Sequence, residues 1–344
     1  MFNFDKLKLK SIIQSLNKSS ILVIGDFAID EMVYGQTSRI SREAPVLILK
    51  HTETKIILGA ASNAAHNIST LNDGRTSVIG VYGDDYHAPI LLNALKEANI
   101  NTDYMVQDSQ RVTTTKTRIS GNSAQSVTQQ IVRIDRELNT PVSKETEQKI
   151  IENIIKAIPE HDAVVLSDYG IGMMTPAIIE TTIETARKYN KLVAVDAQSD
   201  LERFKRATVL TPNQPDAEKS VGYFIKDEKT LLQAGKDLLE KTEADMILLT
   251  RGGDGMMLFE KNGNISSVPA FNKTDVFDVT GAGDTVVASF ILALCASGSG
   301  FDSAVVGNLA ASIVIRHFGC ATTTRDELVG NLEKLNMDNL SIKA

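Results

Sequence analysis

Short β-branched runs alternate with longer amphipathic stretches along most of this 344-residue chain, and few architectures satisfy such a rhythm. Ile21-Leu22-Val23-Ile24-Gly25 is apolar without alternation, the pattern of a strand buried on both faces. Residues 60–71 then carry helical spacing and residues 76–82 read as a strand. The order recurs with a helix near 87–98, a strand near 103–107, a helix near 144–157 and a strand over Ala163–Ser167. A helix near 175–189 and strands over Leu192–Asp196 and Thr208–Thr211 follow, then a helix near 229–240 and a strand over Asp245–Thr250. A hairpin around Lys261-Asn262-Gly263 and two helices near 281–297 and 302–317 complete the series. Repeated βα units need crossover connections, so the spacing predicts an α/β fold with a mainly parallel central sheet flanked by helices.

Two stretches break this rhythm. Residues 32–57 and 112–134 alternate with period two, as in Val46-Leu47-Ile48-Leu49, with no helix between their strands. They predict a small antiparallel β flap, a lid over a ligand at the C-terminal ends of the main strands. No repeat, low-complexity tract or Pro/Gly-rich linker divides the chain. Residues 1–344 are therefore expected to form one domain with the two lid segments inserted in it.

Composition removes several function classes. The longest apolar stretch, Val286–Ala296, is far shorter than the roughly 20 residues a membrane span needs. Met1-Phe2-Asn3-Phe4-Asp5-Lys6 lacks the pattern of a secretory signal and reads as a short amphipathic helix. The two cysteines, Cys295 and Cys320, are too few for a disulfide framework or a structural zinc site, so a reduced, cytoplasmic protein is expected. The five histidines show no metal spacing, and the net charge of -7 disfavours a general nucleic-acid binder.

Chemistry concentrates in Asp278-Val279-Thr280-Gly281-Ala282-Gly283-Asp284-Thr285, which runs straight into an apolar helix. Small residues allow close approach of a ligand, and a helix start offers unpaired N–H groups beside a positive dipole end. Asp284 would repel a phosphate held there, which makes sense if it takes a proton from an attacking hydroxyl while the amides hold the phosphoryl oxygens. On spacing alone, a carboxylate that caps or complements the helix start is an equal reading. The segment is neither a Walker loop, lacking Gly-Lys-Ser/Thr, nor a dinucleotide fingerprint, which would open the first βα unit.

Several segments, in order, resemble the ribokinase-like (PfkB) carbohydrate kinases over residues 20–325. They are Gly25-Asp26-Phe27-Ala28-Ile29-Asp30, Leu58-Gly59-Ala60-Ala61-Ser62-Asn63-Ala64-Ala65, Ser167-Asp168-Tyr169-Gly170, Thr211-Pro212-Asn213, Thr250-Arg251-Gly252-Gly253-Asp254-Gly255 and Asp278–Asp284. Within that family, Ser38-Arg39-Ile40-Ser41-Arg42-Glu43-Ala44-Pro45-Val46, Lys116, Arg118, Gln129-Gln130 and Arg133-Ile134-Asp135 are most similar to the heptose-7-phosphate kinases, the kinase half of bifunctional ADP-heptose synthases. The length of the chain suggests the kinase half without the nucleotidyltransferase half, and a bifunctional enzyme is not expected. It departs from the pattern at Ile171, where a lysine is expected, at Ser62, and over Gly121–Val127, which lacks an arginine-containing run.

The resemblance implies a ribokinase-like fold and ATP-dependent phosphoryl transfer to a sugar hydroxyl. Asp284 would be the base, with the amides of Gly281, Ala282 and Gly283 as the anion hole. Asp30, Asn63, Lys116, Arg118 and Arg133 would bind the substrate, and Asn213, Asp216, Thr250, Gly252 and Asn308 would bind ATP. Asp216, or Glu218, would organise Mg²⁺ through water, and Asp278 with the Thr280 carbonyl would hold a monovalent cation such as K⁺. For Asn63 and Asn213, helix capping or an Asx turn competes with these roles; for Asp278, bracing of its own loop does. The favoured substrate is D-glycero-D-manno-heptose 7-phosphate at its anomeric hydroxyl. The alternatives are a kinase for an unphosphorylated sugar or a nucleoside, and a non-catalytic sugar- or nucleotide-sensing protein. Arg39, Arg42, Lys116, Arg118 and Arg133 give the lid a positive field suited to an anionic sugar, though edge-strand protection would use the same charges. Homodimerisation through the lids is expected, with no nucleic-acid or membrane partner.

Overall fold

The structure, a computed structural model, describes residues 5–122 and 128–335. Part of the predicted N-terminal helix (Met1–Phe4) and most of the Gly121–Val127 segment lie outside the described residues. The main sheet has nine strands. Seven run parallel: β1 (Ile21–Gly25), β4 (Thr76–Ile79), β6 (Ile100–Asn101), β10 (Ala163–Asp168), β11 (Leu192–Ala197), β12 (Val209–Leu210) and β13 (Met246–Thr250). The hairpin β14 (Met256–Glu260) and β15 (Ile265–Val268) closes one edge antiparallel. The spatial order is β15-β14-β13-β12-β11-β10-β1-β4-β6.

Both faces of the sheet are covered, which is why β1 needs no polar alternation. Ile21 and Val23 pack with α1 (Lys6–Ser15), α2 (Ala61–Asn72), α8 (Ala282–Ser297), α9 (Gly300–Val314) and α10 (Arg325–Lys334). Leu22 and Ile24 point the other way, toward α4 (Lys144–Ala157), α5 (Pro176–Lys188) and α7 (Glu228–Thr242). Helix α3 (Ala88–Glu97) lies beside β6, and the short α6 (Gln214–Val221) follows β12. Burying one leucine- or isoleucine-sized side chain contributes about 1.5–3 kcal/mol, so the two apolar layers fix the sheet in place.

The segments that break the βα rhythm leave this sheet and form a second one from β2 (Phe27–Ile40), β3 (Leu47–Ala60), β8 (Thr115–Asn122) and β9 (Gln129–Arg136), in the order β3-β2-β8-β9. Each pair is antiparallel internally, as expected, but β2 and β8 pair in parallel, so the lid is a mixed sheet. The expected single strand near 103–107 is also two: β6 on the main sheet, and β7 (Val106–Gln107) paired with β5 (Val81–Tyr82). The break has a local cause. The Asn101 side chain accepts from the Asp103 N–H at 2.9 Å, and that Asx turn ends the strand.

Candidate active site

The strand order reverses at β1, whose neighbours β10 and β4 lead away in opposite directions. The crevice beyond the C-terminal ends at such a point is the usual ligand site of open α/β sheets. The loop before α8 enters this crevice. Gly281, at φ +76°, is the N-cap of α8 and makes no side-chain capping bond. A Cβ at Gly281 would lie 2.5 Å from Asn63 Nδ2, so glycine is needed both for the backbone conformation and for the close contact. Replacing Gly281 with Ala should displace the Asn63 amide, lowering kcat at least tenfold and the melting temperature by a few degrees; steady-state assay and thermal melt check both.

Asp284, in the first turn of α8, is 4% exposed. Its Oδ2 accepts from Asn63 Nδ2 at 2.7 Å and its Oδ1 from the Tyr169 hydroxyl at 3.0 Å. The helix-capping reading of Asp284 therefore fails: its partners are two side chains. Burial pushes its carboxyl up to about 6 and Asp30 adds to the rise, against the two hydrogen bonds and the Lys116 charge, which favour ionisation. Among the described residues, the Gly281 and Gly283 amides have no acceptor, whereas the Ala282 N–H donates to Val279 O at 3.2 Å. The open amides flank the carboxylate, and the expected role of Ala282 is weakened by its internal bond.

The loop leading into α8 lines two cavities, giving Phe277, Asp278 and Thr280 to one and Val276, Val279, Ala282 and Gly283 to the other. The polar one, about 540 Å³, is lined by lid residues Asp30, Tyr34, Arg118 and Gln130 and by Phe277, Thr280 and Cys320. Arg118 Nη1 approaches Asp30 Oδ1 at 2.7 Å, yet neither atom makes a hydrogen bond, so both keep capacity for a ligand. Lys116 Nζ lies 5.6 Å from the centre of the Tyr169 ring. Arg133 is exposed and chelates Asp135 through Nε at 2.7 Å and Nη2 at 2.8 Å, one strand further out. Asn63 is fully buried: its Nδ2 is held by Asp284, and its Oδ1 accepts from Asn67 at 3.2 Å. The structure thus brings Asn63 to the carboxylate, and it is not the helix cap either, because α2 starts two residues earlier.

The second cavity, about 250 Å³, is apolar and lined by Thr250, Gly252, Gly253, Val276, Val279, Gly283, Asn308 and Ile315. Asn308 builds its wall, with Nδ2 donating to Pro269 O at 2.9 Å and Oδ1 accepting from Phe271 N at 3.3 Å. Asn213 caps α6 by accepting from Asp216 N at 2.8 Å, the Asx reading of that residue. Glu218, the alternative to Asp216, accepts from both Gln214 Nε2 and Ile225 N through Oε1. Asp216 stays buried near the end of β12 with Lys219 at 3.3 Å. Asp278 accepts from Thr280 N, Thr280 Oγ1 and Gly319 N at 2.7–2.9 Å, which braces the loop.

Two residues escaped the sequence reading. Tyr169 was visible only as part of the strand-end match. Asp196, on β11, is half-buried and has no ion-pair partner among the described residues, and desolvation plus repulsion from Asp284 and Asp216 raises its carboxyl. An acid closing a parallel strand was the available signal for it. An under-neutralised carboxyl facing Asp216 fits a hard divalent cation bound through oxygen and water.

The doubly covered sheet, the four-stranded lid and the cleft at the strand-order reversal define a ribokinase-like α/β protein. Residues 18–327 match the pfkB family carbohydrate kinase profile, and the chain belongs to that family. It is 37% identical over 330 residues to the bifunctional protein HldE of Geobacter sulfurreducens, covering 95% of this chain and 66% of that relative. With HldE of Helicobacter hepaticus the identity is 36%, over 90% of this chain and 63% of the relative. The chain thus spans slightly under two thirds of the length of these relatives. The fold is shared with phosphofructokinase-2 of Escherichia coli in complex with potassium (TM-score 0.72, 16% identity, 92% of this chain and 99% of that one). It is also shared with Arabidopsis thaliana ribokinase complexed with ribose and ATP (TM-score 0.68, 17% identity, 92% and 99%).

Proposed function

We propose that the chain transfers the γ-phosphoryl group of ATP to the anomeric hydroxyl of a heptose 7-phosphate, D-glycero-D-manno-heptose 7-phosphate being the favoured substrate. The observation that carries the chemistry is the buried Asp284 carboxylate in the first turn of α8, directly after a loop whose residues line both cavities. In this reading ATP lies in the apolar cavity, with its phosphates toward Thr250, Gly252 and the start of α8. Asp284 takes the proton of the acceptor hydroxyl as the new O–P bond forms and the bond to the leaving ADP breaks. The Gly281 and Gly283 amides stabilise charge on the transferring oxygens. Asp30 and Arg118 orient the sugar, and Lys116 biases Asp284 toward its ionised form.

Asp216 and Asp196 would hold Mg²⁺ through water, and the ion would neutralise polyphosphate charge; K⁺ beside Asp278 belongs to the same proposal. The HldE relatives, the lid resemblance and the cationic Arg118 inside the polar cavity support a phosphorylated sugar. The proposal includes a single domain, a cytoplasmic location and a homodimer joined through the lids, where Ile40, Leu47, Ile131 and Ile134 are exposed. Among the described residues no helix is long and apolar enough to cross a membrane.

A second reading, a kinase for an unphosphorylated sugar or a nucleoside, is favoured by one observation. Ile171, where the family lysine is expected, is buried and brings no charge to the site. Coupled ADP release across sugars, nucleosides and sugar phosphates separates the readings: heptose 7-phosphate should give a kcat/KM at least 100-fold above its dephosphorylated form. A preference for the neutral sugar overturns the heptose-phosphate assignment, and ligand-induced stabilisation with no ADP formed overturns the kinase reading in favour of a sensor.

A further inference from the structure

Tyr169 follows the end of β10, and its backbone is pinned independently of its side chain. Its N–H donates to Asp26 Oδ2 at 2.8 Å, and Asp26 also accepts from the N–H groups of Ile171 and Met173, each at 3.4 Å. From the other side Arg111 donates to the carbonyls of Ile171 (2.6 Å), Leu138 (2.6 Å) and Thr140 (2.7 Å). The loop is therefore held at its peptide groups, and its fold does not require the phenol oxygen. Among the described residues that oxygen makes one hydrogen bond, the 3.0 Å bond it donates to Asp284 Oδ1.

We propose that Tyr169 is a positioning residue for phosphoryl transfer: its hydroxyl fixes one oxygen of Asp284 and keeps that carboxylate ionised, leaving the remaining lone pairs free for the acceptor proton. The inference rests on the reading of Asp284 as the base. Asn63 from α2 supplies the second donor, at 2.7 Å on Oδ2. The charged and titratable groups facing Asp284 are Lys116 from β8, Asp30 from β2, Asp196 from β11 and the Cys320 thiol beyond α9. Lys116 favours the ionised carboxylate, whereas Asp30 and Asp196 oppose it. All of them remain in a Tyr169→Phe variant, which keeps the ring beneath Lys116 and deletes only the donor.

The test is the pH dependence of kcat/KM for the sugar substrate at saturating Mg-ATP. Losing one charge-assisted hydrogen bond should raise the acid-limb midpoint of Tyr169→Phe by about one unit or more. Activity should recover toward the wild-type plateau above that midpoint, with unchanged nucleotide affinity. A uniform loss at every pH with an unmoved limb, or no change at all, overturns the proposal. Should the Phe variant fold poorly, 3-fluorotyrosine at position 169 keeps the shape and donates more strongly; the limb should then move down, and an unmoved limb refutes the role. Asp284→Asn run in parallel separates the two layers. Near-normal turnover in that variant sinks the base itself, while an inactive Asp284→Asn with an unmoved Tyr169→Phe limb sinks only the part assigned to Tyr169.

Discussion

Asp284→Asn should lower kcat by about three orders of magnitude, within the usual range for a lost general base, and should also make the protein more stable at alkaline pH. The second effect follows from the position of the carboxylate. Its pKa is raised from 3.8 to about 6, first by burial. The native state therefore holds this proton over a pH range in which the unfolded chain has already lost it. Stability falls as pH rises from about 4 to about 6, and the loss persists above that. A shift of this size corresponds to at most about 3 kcal/mol. Asparagine has nearly the same shape, can accept from Asn63 and can donate to the Tyr169 oxygen, so it removes the charge without orphaning either partner. The variant should melt a few degrees above the wild type at pH 8 and at nearly the same temperature at about pH 3.5, below the unfolded-state midpoint. Thermal melts in the two buffers measure this, and a gap independent of pH contradicts the burial argument.

Asp30→Ala should reduce kcat/KM for the sugar by about 10²–10⁴ while the KM for ATP stays within about threefold. Hydrogen bonds from two hydroxyls to a carboxylate are worth roughly 1.5–3 kcal/mol each, and the side chain is 8% exposed on the wall of the polar cavity. The substitution also strips Arg118 of its counter-charge at 2.7 Å, so the guanidinium is left half-buried and unpaired. Initial rates with each substrate varied in turn give the answer. An equal rise in both KM values would mean that Asp30 shapes the whole cleft and does not hold the sugar.

The βα series was legible because two-sided burial writes itself into local sequence. The helix predicted near 144–157 is α4, and the apolar run after Asp284 is α8. What depends on distant pairing was not legible. The parallel join of β2 to β8 pairs residues 86 positions apart, such as Ile29 with Thr115, and no local signal fixes such a register. Helix α6 was hidden by its polarity and its eight-residue length, and α10 was overlooked although Thr324 and Glu327 form a readable capping box. At the site, Asp284 and the need for glycine at Gly281 were visible as residue types. The bonds that define the carboxylate were not, because Asn63 and Tyr169 reach it across 221 and 115 positions of chain. Asn63 could be read as a cap or a sugar ligand; it does not cap α2, and its amide is held by Asp284.

The two sheets also divide the labour. Asp30, Lys116, Arg118 and Arg133 all stand on β2, β8 and β9, whereas Asp284, Thr250 and Asn308 belong to the large sheet and its helices. On the proposed assignment, mutations that retune which carbohydrate is accepted can therefore accumulate on four strands without disturbing the groups proposed to face the nucleotide. A lineage built this way can change its diet while keeping its engine.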